Sequence, residues 1–391
     1  MGQMNRKMIY MDYQATTPCD SRVLEQMLPY FCKIYGNPHS STHSMGEEAA
    51  AAVEKARRQV ASIIGAADPK EIIFTSGATE ANNLAIQGIA KFYKERGNRI
   101  ITSEIEHPCV KETCKALARE GFDVVFVPVL NNGIIDLDFF KKSLTDKTIL
   151  TTIMTVNNEI GTIQPLDEIG KLCREHGIIF HTDVAQAVGK IPVNTENVDL
   201  MSISGHKIYG PKGIGALYIK GKSRLRLAPL FHGGKQERGM RSGTLPTPLC
   251  VGIGAACEIA QKEIKEEYQR LLKFKDYFLK KIFDNLPKVY LNGDRDKRIP
   301  GCINLSFDGV EGEGMMLGMD DICVSSGSAC SSQTLEPSYV LQAISIREDL
   351  AHSSLRIGFG RFTTMEEIDY VASKIIEVVK NLRSMSPIWE D

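Results

Sequence analysis

Seven short apolar runs alternate with helical patterns between residues 71 and 219, and that alternation constrains the fold more than any other feature of the chain. The runs fall at 71–74, 99–102, 124–127, 148–152, 178–181, 200–204 and 216–219, with helix-like stretches at 79–93 and 108–119. Several runs are continuously apolar instead of alternating, as strands covered on both faces are. Strand–helix–strand repetition of this kind predicts an α/β domain built on a mostly parallel, doubly wound sheet.

The texture changes near residue 260. Residues 258–286 read as one long amphipathic helix rich in Lys and Glu. After it come an apolar run at 302–307, a Gly-rich segment at 312–318, a short run at 322–324, small residues over 325–332, and a strand-like run at 355–359 before a closing helix. This is α+β texture, and 391 residues suit two domains of about 100–200 residues each. The expected division is a large domain over residues 19–262 and a smaller one made of residues 1–18 and 263–391.

Basic and acidic side chains nearly balance, 47 against 48, and no dense Lys/Arg run appears, so nothing supports direct nucleic-acid binding. No apolar stretch approaches the ~18–20 residues that span a bilayer. Arg6 and Lys7 are followed by Asp12, Gln14 and Thr16 and not by an apolar signal core. The ten cysteines are scattered with no C-x-x-C pair, which fits a reducing compartment better than a disulfide framework. The expectation is a soluble cytoplasmic enzyme.

Three groups at predicted strand ends carry candidate chemistry. Thr75-Ser76-Gly77-Ala78-Thr79-Glu80 joins a strand to a helix, and small residues at a helix N-terminus leave N–H groups open to a phosphate. A Ser/Thr-capped helix has the same appearance. Asp183 follows the run at 178–181; a carboxylate there is desolvated unless something positive pairs with it, and it is equally suited to capping the next element. Lys207, in Ser204-Gly205-His206-Lys207, follows another such run, where a partly apolar cleft makes a lysine amine nucleophilic. Most lysines are simply solvated. All three sit at the carboxyl ends of predicted parallel strands, the edge along which open α/β sheets bind ligands. Phosphate cradle, Asp and Lys together are what pyridoxal 5′-phosphate requires.

Four further positions stand out. His107 lies past the run at 99–102 on the same edge, placed to stack on a flat cofactor or move protons, though a lone histidine is more often structural. His39 and His43 are four apart, but Asn37-Pro38 and the Ser/Thr residues favour a loop over a metal-binding helix. Cys330 sits in Ser325-Ser326-Gly327-Ser328-Ala329-Cys330, small residues that cannot form a core, so a reactive thiol and a plain turn are equally consistent with it. Arg356 begins an apolar run and is suited either to a substrate carboxylate or to an ordinary ion pair.

Taken together and in order, these segments resemble the pyridoxal-phosphate-dependent cysteine desulfurases, the NifS/IscS-like branch of the class V aminotransferase superfamily. The resemblance rests on Tyr10 to Pro18, Gly36-Asn37-Pro38, residues 75–80, Glu106-His107, Val156 to Gly161, Asp183 to Gln186, Ser204 to Gly213, Arg238 to Thr244, Ser325 to Cys330 and Leu355-Arg356. It implies fold type I, a seven-stranded sheet with helices on both faces, and a smaller α+β domain. It further implies that Lys207 holds the cofactor, Asp183 pairs with its ring nitrogen, and Asn158 and Gln186 bond its phenolic oxygen. His107 would stack on the ring and shuttle protons. Ala78, Thr79, Ser204 and His206 would hold the phosphate, and Thr244 would reach the phosphate of the neighbouring subunit of a homodimer. Arg356 would bind the substrate carboxylate, with Asn158 nearby and Asn37 assisting; His39 and His43 receive no role.

The implied reaction converts L-cysteine to L-alanine, with sulfur passing to Cys330 as a persulfide for iron–sulfur assembly and tRNA thiolation. Any metal ligation by Cys330 would be transient and shared with a scaffold protein. The competing readings are a fold-type I aminotransferase or β-lyase needing no protein thiol, and a non-catalytic docking subunit.

Overall fold

The computed structural model describes residues 8–221, 225–326, 337–386 and 389. After a long helix α1 (Ser44–Ile64), the chain runs through β1 (Ile72–Thr75), α2 (Ala78–Tyr93), β2 (Arg99–Ser103), α3 (Pro108–Arg119), β3 (Asp123–Val127), β4 (Thr148–Thr152), β5 (Ile179–Asp183), β6 (Leu200–Ser204) and β7 (Gly215–Ile219). These strands form one seven-stranded sheet in the order β1-β7-β6-β5-β4-β2-β3. β7 alone runs antiparallel to both its neighbours. The ten residues between β6 and β7 are too few for a helical crossover, which takes a dozen or more, so the strand returns directly.

The sheet is covered on both faces, as its continuously apolar strands predict. Ile72 and Phe74 face the cluster that contains Val53, Val60 and Ile64 of α1. Ile73, between them, joins Leu84, Ile86 and Ile89 of α2 and Val110 and Leu117 of α3 on the other face.

A second sheet follows helix α4 (Thr247–Asn285). It consists of β8 (Val289–Leu291), β9 (Cys302–Phe307), β10 (Ser325–Ser326) and β11 (Ser354–Gly358), antiparallel in the order β10-β11-β9-β8. Helix α5 (Met365–Met385) closes the chain, its first turn held by a reciprocal Thr364–Glu367 capping box. Phe278 of α4, Leu305, Ile357 and Ile375 form the core here, and Met11 packs into the same cluster. Ile9 and Tyr10 pair in parallel with Ile322 and Cys323. Among the described residues no helix is long and apolar enough to cross a membrane.

Helix α4 departs from expectation. It begins eleven residues before 258 and has 39 residues, about 58 Å at 1.5 Å per residue. Its first part carries small residues (Gly252, Gly254, Ala255, Ala256) that are buried and give no amphipathic signal. They are needed small: a Cβ on Gly252 would lie 2.6 Å from Met27 Sδ, and one on Gly254 2.6 Å from Ala56 Cα of α1.

One buried ion pair ties α1 to the loop before α4. Arg57 donates to Glu237 at 2.7 and 2.8 Å and to the Ile72 carbonyl at 2.8 Å, while Glu237 also accepts from the Phe74 N–H at 2.7 Å. Glu237 and Arg238 both adopt positive φ, 43° and 57°, a conformation that persists only when its surroundings enforce it. Arg57→Ala is expected to strand the Glu237 carboxylate and cost on the order of 3–5 kcal/mol. The result would be a melting temperature several degrees below wild type; an unchanged one would mean the pair does not hold this loop.

Candidate active site

The carboxyl ends of β1, β4, β5 and β6 open onto one cavity of about 570 Å³. Ten of the residues singled out from the sequence line it: Ala78, Thr79, His107, Asn158, Asp183, Gln186, Ser204, His206, Lys207 and Arg356. They come from six separate stretches of chain. Thr244 does not line it and is exposed. Cys330 lies outside the described residues.

Local structure explains each placement. Gly77 precedes α2 with no side-chain cap, so the N–H groups of the first turn at Ala78 and Thr79 face the cavity without an internal acceptor. The Ser76 N–H is committed to Glu80 Oε2 at 2.6 Å, and Glu80 is paired with Arg241 at 2.9 Å. Asp183 is the last residue of β5 itself, not a residue beyond it, and is buried. Its Oδ1 accepts from the Ala185 N–H at 2.8 Å and its Oδ2 from Asn82 at 2.7 Å. Lys207 ends the short turn after β6, and its Nζ donates to the Gln14 carbonyl and, at 2.6 Å, to that of Ala15. Gln186 donates to the same Gln14 carbonyl at 2.9 Å and accepts from Lys190 Nζ at 2.6 Å.

Two imidazoles in the cavity are held neutral. Burial, reinforced by Lys207 and other lysines, lowers His206 to about 4. His107 is lowered too, by burial and by Lys207 against the pull of Asp183. It is the N-cap of α3, and its Nδ1 accepts from the Cys109 N–H at 3.2 Å. The preceding residue, Glu106, is fully buried. Its Oε1 accepts from Ser103 at 2.9 Å and from the Met154 N–H at 2.8 Å, and burial raises it to about 8. This largely neutral acid ties the turn carrying His107 to the segment leading to Asn158.

Arg356 lies in the middle of β11, not at its start, and reaches the cavity from the second sheet. It donates to Asp12 at 2.8 Å, Ser325 at 3.0 Å and the Asn158 carbonyl at 3.2 Å, while its Nε has no partner. The Asn158 side-chain oxygen is buried and equally unpartnered. Asn37 is exposed and bonds the His39 N–H within its own loop; His43 caps α1 through Nδ1. No group of three metal-ligating side chains occurs among the described residues.

Sequence reasoning misses Asn82, Cys109, Lys190 and the carbonyls of Gln14 and Ala15. Gln14 and Ala15 lie in the Tyr10–Pro18 stretch but act through backbone carbonyls, which residue type does not reveal; Cys109 lines the cavity from α3, while Asn82 and Lys190 stand outside its lining and bond Asp183 and Gln186.

A profile of the aminotransferase class-V family matches residues 9–371. The chain belongs to that family. It is 59% identical over 384 residues to the cysteine desulfurase IscS of Rickettsia typhi, covering 98% of this chain and 93% of that one. It is 58% identical over 384 residues to the cysteine desulfurase of Homo sapiens, with 98% and 84% covered. Among solved structures, a NifS-like protein superposes with a TM-score of 0.89 at 36% identity, covering 96% of this chain and 100% of that one. SspA in complex with cysteine superposes with a TM-score of 0.81 at 38% identity, covering 91% and 100%. The family uses pyridoxal 5′-phosphate, and the cavity fits it: a lysine amine, a buried carboxylate, an open helix N-terminus and an unpartnered Asn158 oxygen surround one space.

His181, two residues before Asp183, is fully buried between Thr152 at 2.7 Å and Ser202 at 2.9 Å, and burial lowers it to about 3. Its unfolded value is near 6.5, so the unfolded chain binds the extra proton between roughly pH 3 and 6.5. Stability from this group is therefore full above about pH 6.5 and is lost as the pH falls toward 3. His181→Gln is expected to flatten the acid side of the melting-temperature profile relative to wild type. Parallel profiles would show that His181 does not titrate on unfolding.

Proposed function

We propose that the protein is a cysteine desulfurase that converts L-cysteine to L-alanine and passes the sulfur to Cys330. The observation that carries this reading is the convergence of Lys207, Asp183, His107 and Arg356 on one cavity, in a chain whose relatives bear that name.

When bound, pyridoxal phosphate supplies an electron-withdrawing ring that loosens the Cα proton and the carbon–sulfur bond of the amino acid. Asp183, held by two N–H donors, keeps a proton on the ring nitrogen. The N-terminus of α2, with Thr79, Ser204 and His206, holds the phosphate. Asn158 and Gln186 orient the ring at its phenolic oxygen. Lys207 would hold the cofactor through its amine, and the same amine would serve as base for the Cα proton. Arg356 receives the substrate carboxylate in place of part of its Asp12 and Ser325 contacts, a charge-assisted pairing that fixes the amino acid's orientation. His107, neutral, moves protons at the ring face.

Cys330, as thiolate, attacks the substrate sulfur. A sulfur–sulfur bond forms, the carbon–sulfur bond breaks, and the electron pair left on carbon takes up a proton to give alanine. The persulfide then serves an acceptor, an iron–sulfur scaffold or a tRNA-thiolation protein; any metal contact of Cys330 is shared with that partner and short-lived.

The working unit is a homodimer in the cytoplasm. Thr244, exposed in one chain, reaches the phosphate site of the other, and the exposed Leu28, Phe31 and Tyr35 supply apolar surface of the kind a dimer covers. Residues 19–262 form the cofactor domain, and residues 1–18 with 263–391 form the smaller one.

After incubation with L-cysteine, mass spectrometry should find one extra sulfur on Cys330, with alanine produced in parallel. Cys330→Ala should keep the cofactor's visible absorbance and lose both products. Borohydride should trap the cofactor on Lys207. Full alanine production by Cys330→Ala would point instead to a lyase that needs no protein thiol. Protein that takes up no pyridoxal phosphate would point to a docking subunit.

A further inference from the structure

Two side chains that this mechanism leaves unused lie between its carboxylate and its imidazole. Asn82 of α2 is fully buried, and its amide nitrogen donates to Asp183 Oδ2 at 2.7 Å and to Cys109 Sγ at 3.2 Å. Cys109 Sγ lies 3.0 Å from His107 Nδ1. The four residues thus form one continuous polar chain from the end of β5 to the N-cap of α3.

The backbone donor at Cys109 sets the sense of the bonds in that chain. The Cys109 backbone N–H can only donate, and it points at Nδ1 from 3.2 Å, so Nδ1 presents its lone pair and the ring proton sits on Nε2. Burial, with Asp183 nearby, pushes the Cys109 thiol up to about 12, so it keeps its hydrogen and gives it to Nδ1. The sulfur lone pairs then accept from Asn82. Asn82 cannot be turned over, because its oxygen would then face the Asp183 carboxylate; that oxygen is left buried with no partner. A buried polar atom without a partner is a cost that the two amide donations offset.

We propose that Asn82 and Cys109 are positioning residues, a relay that locks His107 as a neutral imidazole protonated on Nε2 and ties that state to the Asp183 carboxylate. The inference rests on the reading that Asp183 and His107 serve the cofactor. The charged groups facing the ring are Lys207, after β6, which favours the neutral form, and Asp183, at the end of β5, which opposes it. Thr79 of α2 adds a neutral contact to the Cys109 thiol. The N-terminus of α3, which His107 itself caps, also disfavours positive charge on the ring. With the single Nδ1 lone pair shared between the Cys109 N–H and thiol, Nε2 is the ring position left to exchange a proton with the cavity.

The test uses the full-length protein loaded with pyridoxal phosphate and labelled with 15N at histidine, His107→Asn identifying the resonance. Wild type should show Nδ1 unprotonated and Nε2 protonated at neutral pH, with a titration midpoint below the ordinary histidine value. Cys109→Ala should raise that midpoint by about one unit, the size of one lost hydrogen bond. Cys109→Ser, which restores a donor to Nδ1 and an acceptor to Asn82, should return it. Asn82→Ala should move it in the same direction as Cys109→Ala; the Cys109 pair carries the test on its own if that variant does not fold. A cationic or Nδ1-protonated His107 in wild type, or a Cys109→Ala midpoint equal to wild type, would overturn the relay. Alanine production by the same wild-type sample judges the desulfurase reading separately, since the ring signature does not depend on it.

Discussion

A carboxylate buried at the end of a strand has to be compensated, and much of this cavity is arranged around how Asp183 is. Two N–H donors hold it, one from the turn that follows β5 and one from the Asn82 amide on α2. Both are neutral, so the carboxylate's charge is stabilised without being cancelled. That leaves it able to hold a proton on a ring nitrogen, which an Arg or Lys partner at the same place would not permit as well. Asn82 in turn decides the orientation of the Cys109 thiol, and the thiol that of His107.

The same edge shows why a parallel sheet suits such a site. Strands ending side by side deliver Asp183 and Ser204 to the same end of the sheet, and the helix that follows β1 points its N-terminus at the same space. Side chains at these ends, and the open first turn of α2, project into the space beyond the sheet edge. Arg356 arrives from the other side, on a strand of the second sheet, and it bonds Asp12 and the Asn158 carbonyl at once. The Arg356 end of the cavity is therefore assembled only when the N-terminal segment, the large sheet and the small sheet are packed together.

How much of this is legible beforehand depends on the kind of signal. Strands β4, β6 and β9 can be read to the residue because their apolar runs end abruptly in polar or small residues. Helix α4 reads eleven residues short, because tight helix packing selects small residues, and these erase the amphipathic pattern that marks a helix. Asp183, Lys207 and His107 are legible since each follows or ends a predicted strand on one edge. Asn82, Cys109 and Lys190 are not: they lie on helices or in a turn away from the strand ends, and Asn82 meets Asp183, 101 residues on, only when α2 packs on the sheet.

By itself, the order of apolar runs and helical stretches determined the sheet, the edge on which ligands bind, and the residue types presented there, because strand period and chain direction are local properties. Only the tertiary structure decided which donors surround each of those residues. Protonation at His107 and Glu106, and the hydrogen bonds that hold Asp183, follow from burial and from neighbours on other elements, and burial is a property of the packed chain, not of any stretch of it.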